Sequence, residues 1–433
     1  MPVRSHDHAA NGPTHLKIFS LPPATALRIL FAFGFGFFLS MFTRAVANII
    51  KPHVQGDLML SEEAISLSLG TSFFVAFGLM QLPLGVLLDR YDPRKVNAGL
   101  MLIAAAGAVI FSQADSAGML ALGRALMGLG FAAGMMASLK TYSLWFPVDK
   151  LPTINGVQFA IGVLGAISAT KPTEWALRVM DWQELTLIFA GMTVVAALVL
   201  VTIAPKHISV GSAESLGATL GGLKRIYTDA FFWRVVPWIT ISMGISQGIG
   251  TLYVFSWLMD VGGFSSGTAA TILSINASVA VVNFLAMGPA SEALVKRGGS
   301  PLAVPIVGLT LSMIAMAVLA LQWTAVAVPV WLIWTIAIGT NVLMFSAVAR
   351  AFPVELTGRV YTAINLMGFA VTALSQWGVG RILDFYPGNV QAGYQVAFSV
   401  LLGLQCLGAA WYFIATRTGF GAQTMLEKQK ARL

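Results

Sequence analysis

Three cations, Arg44, Arg124 and Lys140, stand well inside long apolar stretches of the chain, and no Asp, Glu or His accompanies them at comparable depth. Acids such as Asp89 stop at the ends of those stretches. A charge at the centre of a bilayer costs about 2.5 to 3.5 kcal/mol on insertion scales, so it is retained where it faces a wet cavity or a fixed partner. An interior whose charges are all positive suits an anion. Arg44 shares a four-residue spacing with Ser40 and Asn48, which puts the three on one helical stripe, while Phe31, Phe33, Phe35, Phe37 and Phe38 supply apolar surface. The competing reading is an arginine that snorkels to the outer headgroups. Lys140 lies close to Trp145-Phe146-Pro147, where snorkelling is easier, and Lys171, before Pro172, reads first as an interfacial anchor.

Neutral polar groups follow in the second half of the chain. Gln247 and Thr251 come after the flexible Gly244, Asn276 and Asn283 share a stripe, and Thr362, Asn365, Thr372 and Gln376 share another. Tyr253 and Trp257 are candidates to stack on an organic body. Each of these is also the kind of residue that ties one membrane helix to the next. Catalysis has no support: there is no P-loop lysine motif, no G-x-S-x-G and no metal-ligand spacing, so ATP-driven pumping is disfavoured and no cofactor or metal is expected.

The elements that position these residues live in lipid. At 57% hydrophobic and 10% charged, the 433 residues cannot be a soluble domain. Stretches long enough to cross a membrane, about 20 residues each, fall at 27–50, 65–88, 96–113, 118–144, 153–177, 183–204, 232–258, 265–290, 301–322, 325–350, 358–384 and 392–416. The expected organisation is a tail (1–26), a six-helix bundle (27–204), a middle loop (205–231), a second six-helix bundle (232–416) and a closing tail (417–433). With the N-terminus cytoplasmic, the outer segments hold only Lys51, Lys171, Arg178 and Arg381, and the remaining basic residues of the loops and tails lie inside. The net charge of +8 is therefore a topology signature and gives no reason to expect nucleic acid. Cys406 is the single cysteine, so no internal disulfide can form.

Two markers suggest an internal duplication. The hairpin Gly85-Val-Leu-Leu-Asp89-Arg90-Tyr-Asp-Pro93-Arg94-Lys95 is echoed by Gly288-Pro-Ala-Ser-Glu292-Ala-Leu-Val-Lys296-Arg297, and Phe146-Pro147-Val148 by Phe352-Pro353-Val354 at nearly the same offset. Asp89 ends one helix and Arg90, Arg94 and Lys95 begin the next, so charge pairs and helix-end dipoles there are candidates to hold the cytoplasmic faces together; Glu292 and Arg297 are their counterparts. The alternative is that these charges serve topology alone.

Here the chain resembles the major facilitator superfamily along essentially its whole length. The first hairpin is similar to the loop motif G-x-x-x-D-R-x-x-x-R-[RK], and Arg124-Ala-Leu-Met-Gly128-Leu-Gly130 resembles the fourth-helix pattern R-x-x-x-G-x-G. The resemblance implies twelve transmembrane helices in two six-helix bundles that rock around a central site, and it connects Arg124 with proton coupling; the equal alternative for Arg124 is hydrogen bonding to neighbouring backbone. A narrower likeness is to the organophosphate and phosphate antiporter group, through the first-helix arginine, Asp89-Arg90-Tyr-Asp-Pro93-Arg94 and Lys140-Thr141. Gln81 stands where that group has a lysine and Ile239 to Trp257 contains no arginine, so a two-arginine phosphate clamp is absent.

The expected function is a secondary transporter in a bacterial inner membrane, both termini cytoplasmic, taking up a small organic anion. Arg44, Asn48, Lys140, Gln247, Tyr253, Trp257, Asn276 and Asn365 are the expected substrate contacts, with a coupling proton or a counter-anion as a second partner. A drug/proton antiporter is the alternative, disfavoured because the fifth segment lacks a G-P-x-x-G-G type signature and no membrane acid attracts cations. A transport-silent receptor is the third class.

Overall fold

The computed structural model describes residues 22–147, 150–206, 216–298, 303–353, 356–425 and 427. It is all-helical there. The principal helices are α1 Pro23–Leu58, α2 Glu62–Arg90, α3 Pro93–Ser112, α4 Ala117–Trp145, α5 Leu151–Ser168, α6 Trp182–Ile203, α7 Leu216–Tyr227, α8 Ala230–Leu252, α9 Ser266–Lys296, α10 Ala303–Ala320, α11 Ala327–Gly339, α12 Thr357–Asp384 and α13 Val390–Arg417. Short helices Lys171–Ala176, Val254–Asp260 and Asn341–Ala349 extend α5, α8 and α11 after brief breaks.

Among the described residues, ten helices are long and apolar enough to cross a membrane. The tenth expected segment is interrupted after Gly339, and α12 spans 28 residues but carries Thr362, Asn365, Thr372, Ser375 and Gln376 among its apolar ones. Local sequence sets the ends. Pro93 opens α3 behind the Asp92 cap, Asp181 and Glu184 form a reciprocal capping box on α6, and the Asp229 side chain caps α8. The first helix overruns its expected end at residue 50. Lys51 stays in the helix, its ammonium 2.7 Å from Glu62 Oε2, and Pro52 is accommodated within the helix. Within the expected middle loop, Leu216–Tyr227 form α7, which is amphipathic, burying Leu223 and Ile226 while exposing Lys224 and Arg225.

Packing repeats with a period of one bundle. In the first half α1 packs on α5 and α6, α3 on α4 and α6, and α2 on α4. The second half repeats each pairing, with α8 on α12 and α13, α10 on α11 and α13, and α9 with α11. Between the halves, α2 meets α12, α5 meets α9 and α1 meets α8.

The fourth-helix glycines have distinct jobs in this packing. A Cβ on Gly128 would lie 2.2 Å from the Phe73 carbonyl of α2, and one on Gly130 would lie 2.5 Å from Leu100 O of α3, so only glycine lets α4 sit between those helices.

The two ends of the molecule differ. One apolar core runs through the first half and continues into the second through Ile245, Leu252, Phe369 and Val379. A separate cluster around Leu223, Phe232, Ile239, Phe352, Ile364 and Tyr412 fills the second half at the end that carries Asp89 in the first. The halves are therefore fused toward the Glu62 end.

Candidate functional site

Arg44 projects from the middle of α1 and is half-buried. Its guanidinium carbon lies 4.3 Å from the centre of the Phe77 ring, and its buried Nε has no hydrogen-bond partner. Among the described residues it makes no ion pair. Phe77 in turn meets Phe369 of α12 edge to face at 4.9 Å, and Phe74 stacks on Phe369 at 6.1 Å. The cation thus rests on an aromatic group that bridges both halves. Sequence reading singled out Arg44 but not these phenylalanines, which as isolated apolar residues carry no signal of their role.

The other two deep cations are committed elsewhere. Arg124, 2% exposed, donates from Nε to Leu69 O at 2.7 Å and from a terminal nitrogen to Thr43 O at 3.0 Å. Leu69 belongs to a π-helical turn, Leu67–Thr71, inside α2. The guanidinium also lies 4.8 Å from the Phe73 ring centre. Lys140 is ion-paired with Asp89 of α2, an acid of its own bundle. Phe77, under Arg44, and Asp89, the partner of Lys140, are twelve residues apart on α2, about 18 Å along the helix at 1.5 Å per residue, which puts the Lys140 pair at a different depth from Arg44.

Several expected contacts instead form the seam at the Glu62 end. Asn48, 1% exposed, donates to Gly250 O at 2.6 Å and accepts from Phe255 N at 3.4 Å, tying α1 to the break in α8 at Tyr253. Tyr253 is fully buried, bonded to Ser66 of α2 and donating to Gln376 O of α12 at 2.7 Å. Trp257 is also fully buried, edge-on to Trp331 and parallel to Phe398, so it packs the second half. Neither ring is presented to open space. Gln376 reaches Gly248 O and the Thr251 hydroxyl, Thr372 bonds Gly368 O within its own helix, and Asn283 donates to Ile336 O. Gln247, Asn276 and Asn365 remain half-buried, and Asn276 Oδ1 has no partner.

The same seam holds charges that sequence reading took for topology markers. The Asp384 carboxylate accepts from Glu62 N at 2.8 Å and Glu63 N at 3.0 Å, so a residue of α12 caps α2 across the halves. Glu63 accepts from Trp377 Nε1 at 2.8 Å and from Arg381 at 2.7 Å. Thr170 and Ser274 hydroxyls meet at 2.6 Å, and Lys171 donates to Gly267 O at 3.0 Å while pairing with Glu174.

At the opposite end, Arg94 is buried, forked onto Asp92 and donating to Ala204 O at 2.6 Å at the close of α6. It staples α3 to α6 rather than reaching across the halves. Arg90 is exposed over Tyr91 and Arg297 is exposed. The side chain of Glu292 lies outside the described residues, as do those of Val148 and Val354.

Comparison with known proteins agrees with this architecture. The description Major Facilitator Superfamily matches residues 33–376. A probable sulfoacetate transporter of Cupriavidus necator is 22% identical over 393 residues, covering 86% of this chain and 90% of that protein. A galacturonate transporter of Dickeya chrysanthemi is 27% identical over 163 residues, 38% of this chain and 47% of that one. Among solved structures, a bacterial homolog of the human lysosomal transporter Spinster, inward-facing and occupied, covers 92% of this chain and 98% of its own at a TM-score of 0.75 and 17% identity. With helices, repeated pairings and the family match all extending over most of its length, the chain belongs to the Major Facilitator Superfamily.

Proposed function

We propose that this protein carries a small organic anion across the membrane by alternating access, in the direction of uptake, with Arg44 as the ligand's counter-charge. As a member of that superfamily it is an integral membrane transporter and not an enzyme. The observation that carries the anion reading is Arg44 itself: a half-buried guanidinium at membrane depth, resting on a phenyl face, with no acid against it among the described residues. Relatives described as transporters of sulfoacetate (probable), nitrate and nitrite, and galacturonate support small anions as cargo, two of the three descriptions naming organic ones.

Taking the Asp89 end as cytoplasmic from the distribution of Lys and Arg, the seam between Glu62, Tyr253 and Asp384 is the closed outer gate, and the conformation is inward-facing. An anion arriving from outside requires that seam to part, and the ligand then reaches Arg44 from the other side of the Phe77–Phe369 contact.

Arg44→Gln tests the reading. Ligand-induced thermal stabilisation of the purified protein and uptake into proteoliposomes should both fall by about a hundredfold, since an ionic fork is worth roughly 3 kcal/mol when its partner is left unpaired. The variant should fold, because removing a buried cation relieves an insertion cost. Arg44→Lys should retain part of the affinity, as one ammonium replaces a two-bond fork poorly. Unchanged uptake by Arg44→Gln would sink the proposal.

A further inference from the structure

Resting on that reading, we infer that the site takes a singly charged anion whose other polar groups are neutral, and that it discriminates against ligands with a second acidic group. The charge inventory around Arg44 carries the argument. Lys140 is paired with Asp89, which stands about 18 Å from Phe77 along α2. Lys51 is paired with Glu62, Arg381 with Glu63, and Lys171 and Arg178 with Glu174, all at the sealed end. Arg124 keeps its charge but turns its donors to Leu69 O and Thr43 O, and two stacked rings separate it from Arg44: Arg124 lies over Phe73, Phe73 stacks on Phe77 at 6.0 Å, and Arg44 lies over Phe77. Among the described residues, one positive charge, that of Arg44, is therefore left for a ligand.

What surrounds it is neutral. Asn48 touches Gly250 O of α8. Arg44 lies one turn below Asn48 and Gln247 lies one turn below Gly250, which puts the half-buried Gln247 amide at the level of Arg44 on the adjoining helix. Asn365, also half-buried, stands one turn below Phe369 on α12, and Phe369 is in contact with Phe77. Amides and hydroxyls satisfy each other by hydrogen bonds, so a polyol or keto body fits beside the Arg44 pair. A second carboxylate would leave water for a place where amides can donate to it but no further unpaired cation among the described residues cancels its charge, which is strongly unfavourable. This reading separates candidate cargoes that the anion proposal alone treats alike: a monocarboxylate with neutral hydroxyls fits, and a ligand bearing both a sulfonate and a carboxylate does not.

The test uses the unmodified protein and three ligand pairs, each differing by one carboxylate: a hexuronate with its aldarate, lactate with malate, and methanesulfonate with sulfoacetate. Stability shifts are titrated near neutral pH. In every pair with a binding member, the monoanion should bind at least about tenfold tighter, a difference of 1.4 kcal/mol. Gln247→Arg, or Asn365→Arg if the first does not purify, adds a second cation and should reverse the order within that pair. Equal or tighter binding of the dianion by the unmodified protein overturns the inference and leaves the anion proposal standing. Binding by no member of any pair overturns both.

Discussion

Each of the three membrane-depth cations has found a different partner, and the partners predict different consequences of removal. Arg44 has a phenyl face, which attracts a cation without neutralising it and leaves its donors for a ligand. Arg124 has two backbone carbonyls, one from a π-turn. Arg124→Gln should therefore lower stability in detergent by about 2 kcal/mol or more, because a buried carbonyl left without a donor costs roughly 1 to 3 kcal/mol. Thermal unfolding of the ligand-free variant checks this, and an unchanged midpoint would show that the carbonyl bonds do not matter. Lys140 has a carboxylate, so Lys140→Gln should alter anion affinity by less than about twofold at a separation where exposed charges are largely screened. A loss as large as that of Arg44→Gln would place Lys140 in the ligand site after all. The polar stripe of Ser40, Arg44 and Asn48 was legible because it is a matter of spacing within one helix. For Arg124 a backbone-bonded role was one of two readings, but which carbonyls it meets depends on a local helical irregularity, and the partner of Lys140 is an acid 51 residues away in sequence.

At the scale of elements, the informative contact is the cap that α12 places on α2. The first turn of α2 has two caps, Ser61 from its own chain segment, bonded to Ala64 N, and Asp384 from the opposite half. Ser61 stays with α2 in any arrangement of the bundles. Asp384 can cap it only while the halves are closed at this end, so the bond energy is a difference between states and biases their populations. Removing a side-chain cap costs about 0.5 to 2 kcal/mol, hence Asp384→Ala should raise the ratio of outward-open to closed protein by about two- to thirtyfold, whereas Ser61→Ala should lower stability without moving it. Labelling of a cysteine placed at Ala373, 4% exposed in the seam, with an impermeant reagent from outside reads the difference. Equal labelling in both variants would remove Asp384 from the gate. Helix existence was readable from apolar length, and caps such as Asp92 and Asp181 were local features that a sequence displays. The 322-residue separation between Asp384 and Glu62 hides their contact from any such reading.

For the whole molecule, a repeated set of pairings within each half is joined by contacts of a different kind between halves. Inside a half, the contacts are apolar and glycine-fitted, as where α4 lies against α2 and α3. Between halves at the sealed end hydrogen bonds cross alongside the shared apolar core: Asn48 to Gly250 O, Tyr253 with Ser66, Thr71 to Ala373 O, Thr170 with Ser274. Individually such bonds are worth about 0.5 to 1.5 kcal/mol net, and water can replace each when the seam opens. That is the balance a rocking transporter needs, with rigid bundles and an exchangeable seam, and it gives a test of motion that does not depend on knowing the cargo. Thr170 and Ser274 lie on α5's outer end and on α9, with hydroxyl oxygens 2.6 Å apart, and Cys406 is the single native cysteine. Cysteines at both positions are close enough to be joined by a disulfide, which holds Cβ atoms about 3.5 to 4.5 Å apart. The oxidised double variant should be locked with its outer face closed, so exchange of labelled anion across proteoliposomes should stop and return on reduction, while either single variant should transport throughout. Ligand added to the locked protein should still bind at Arg44 from the cytoplasmic side, and this distinguishes a trapped conformation from a damaged site. If the crosslink forms and exchange continues, the seam does not have to part during transport, and alternating access through it is excluded.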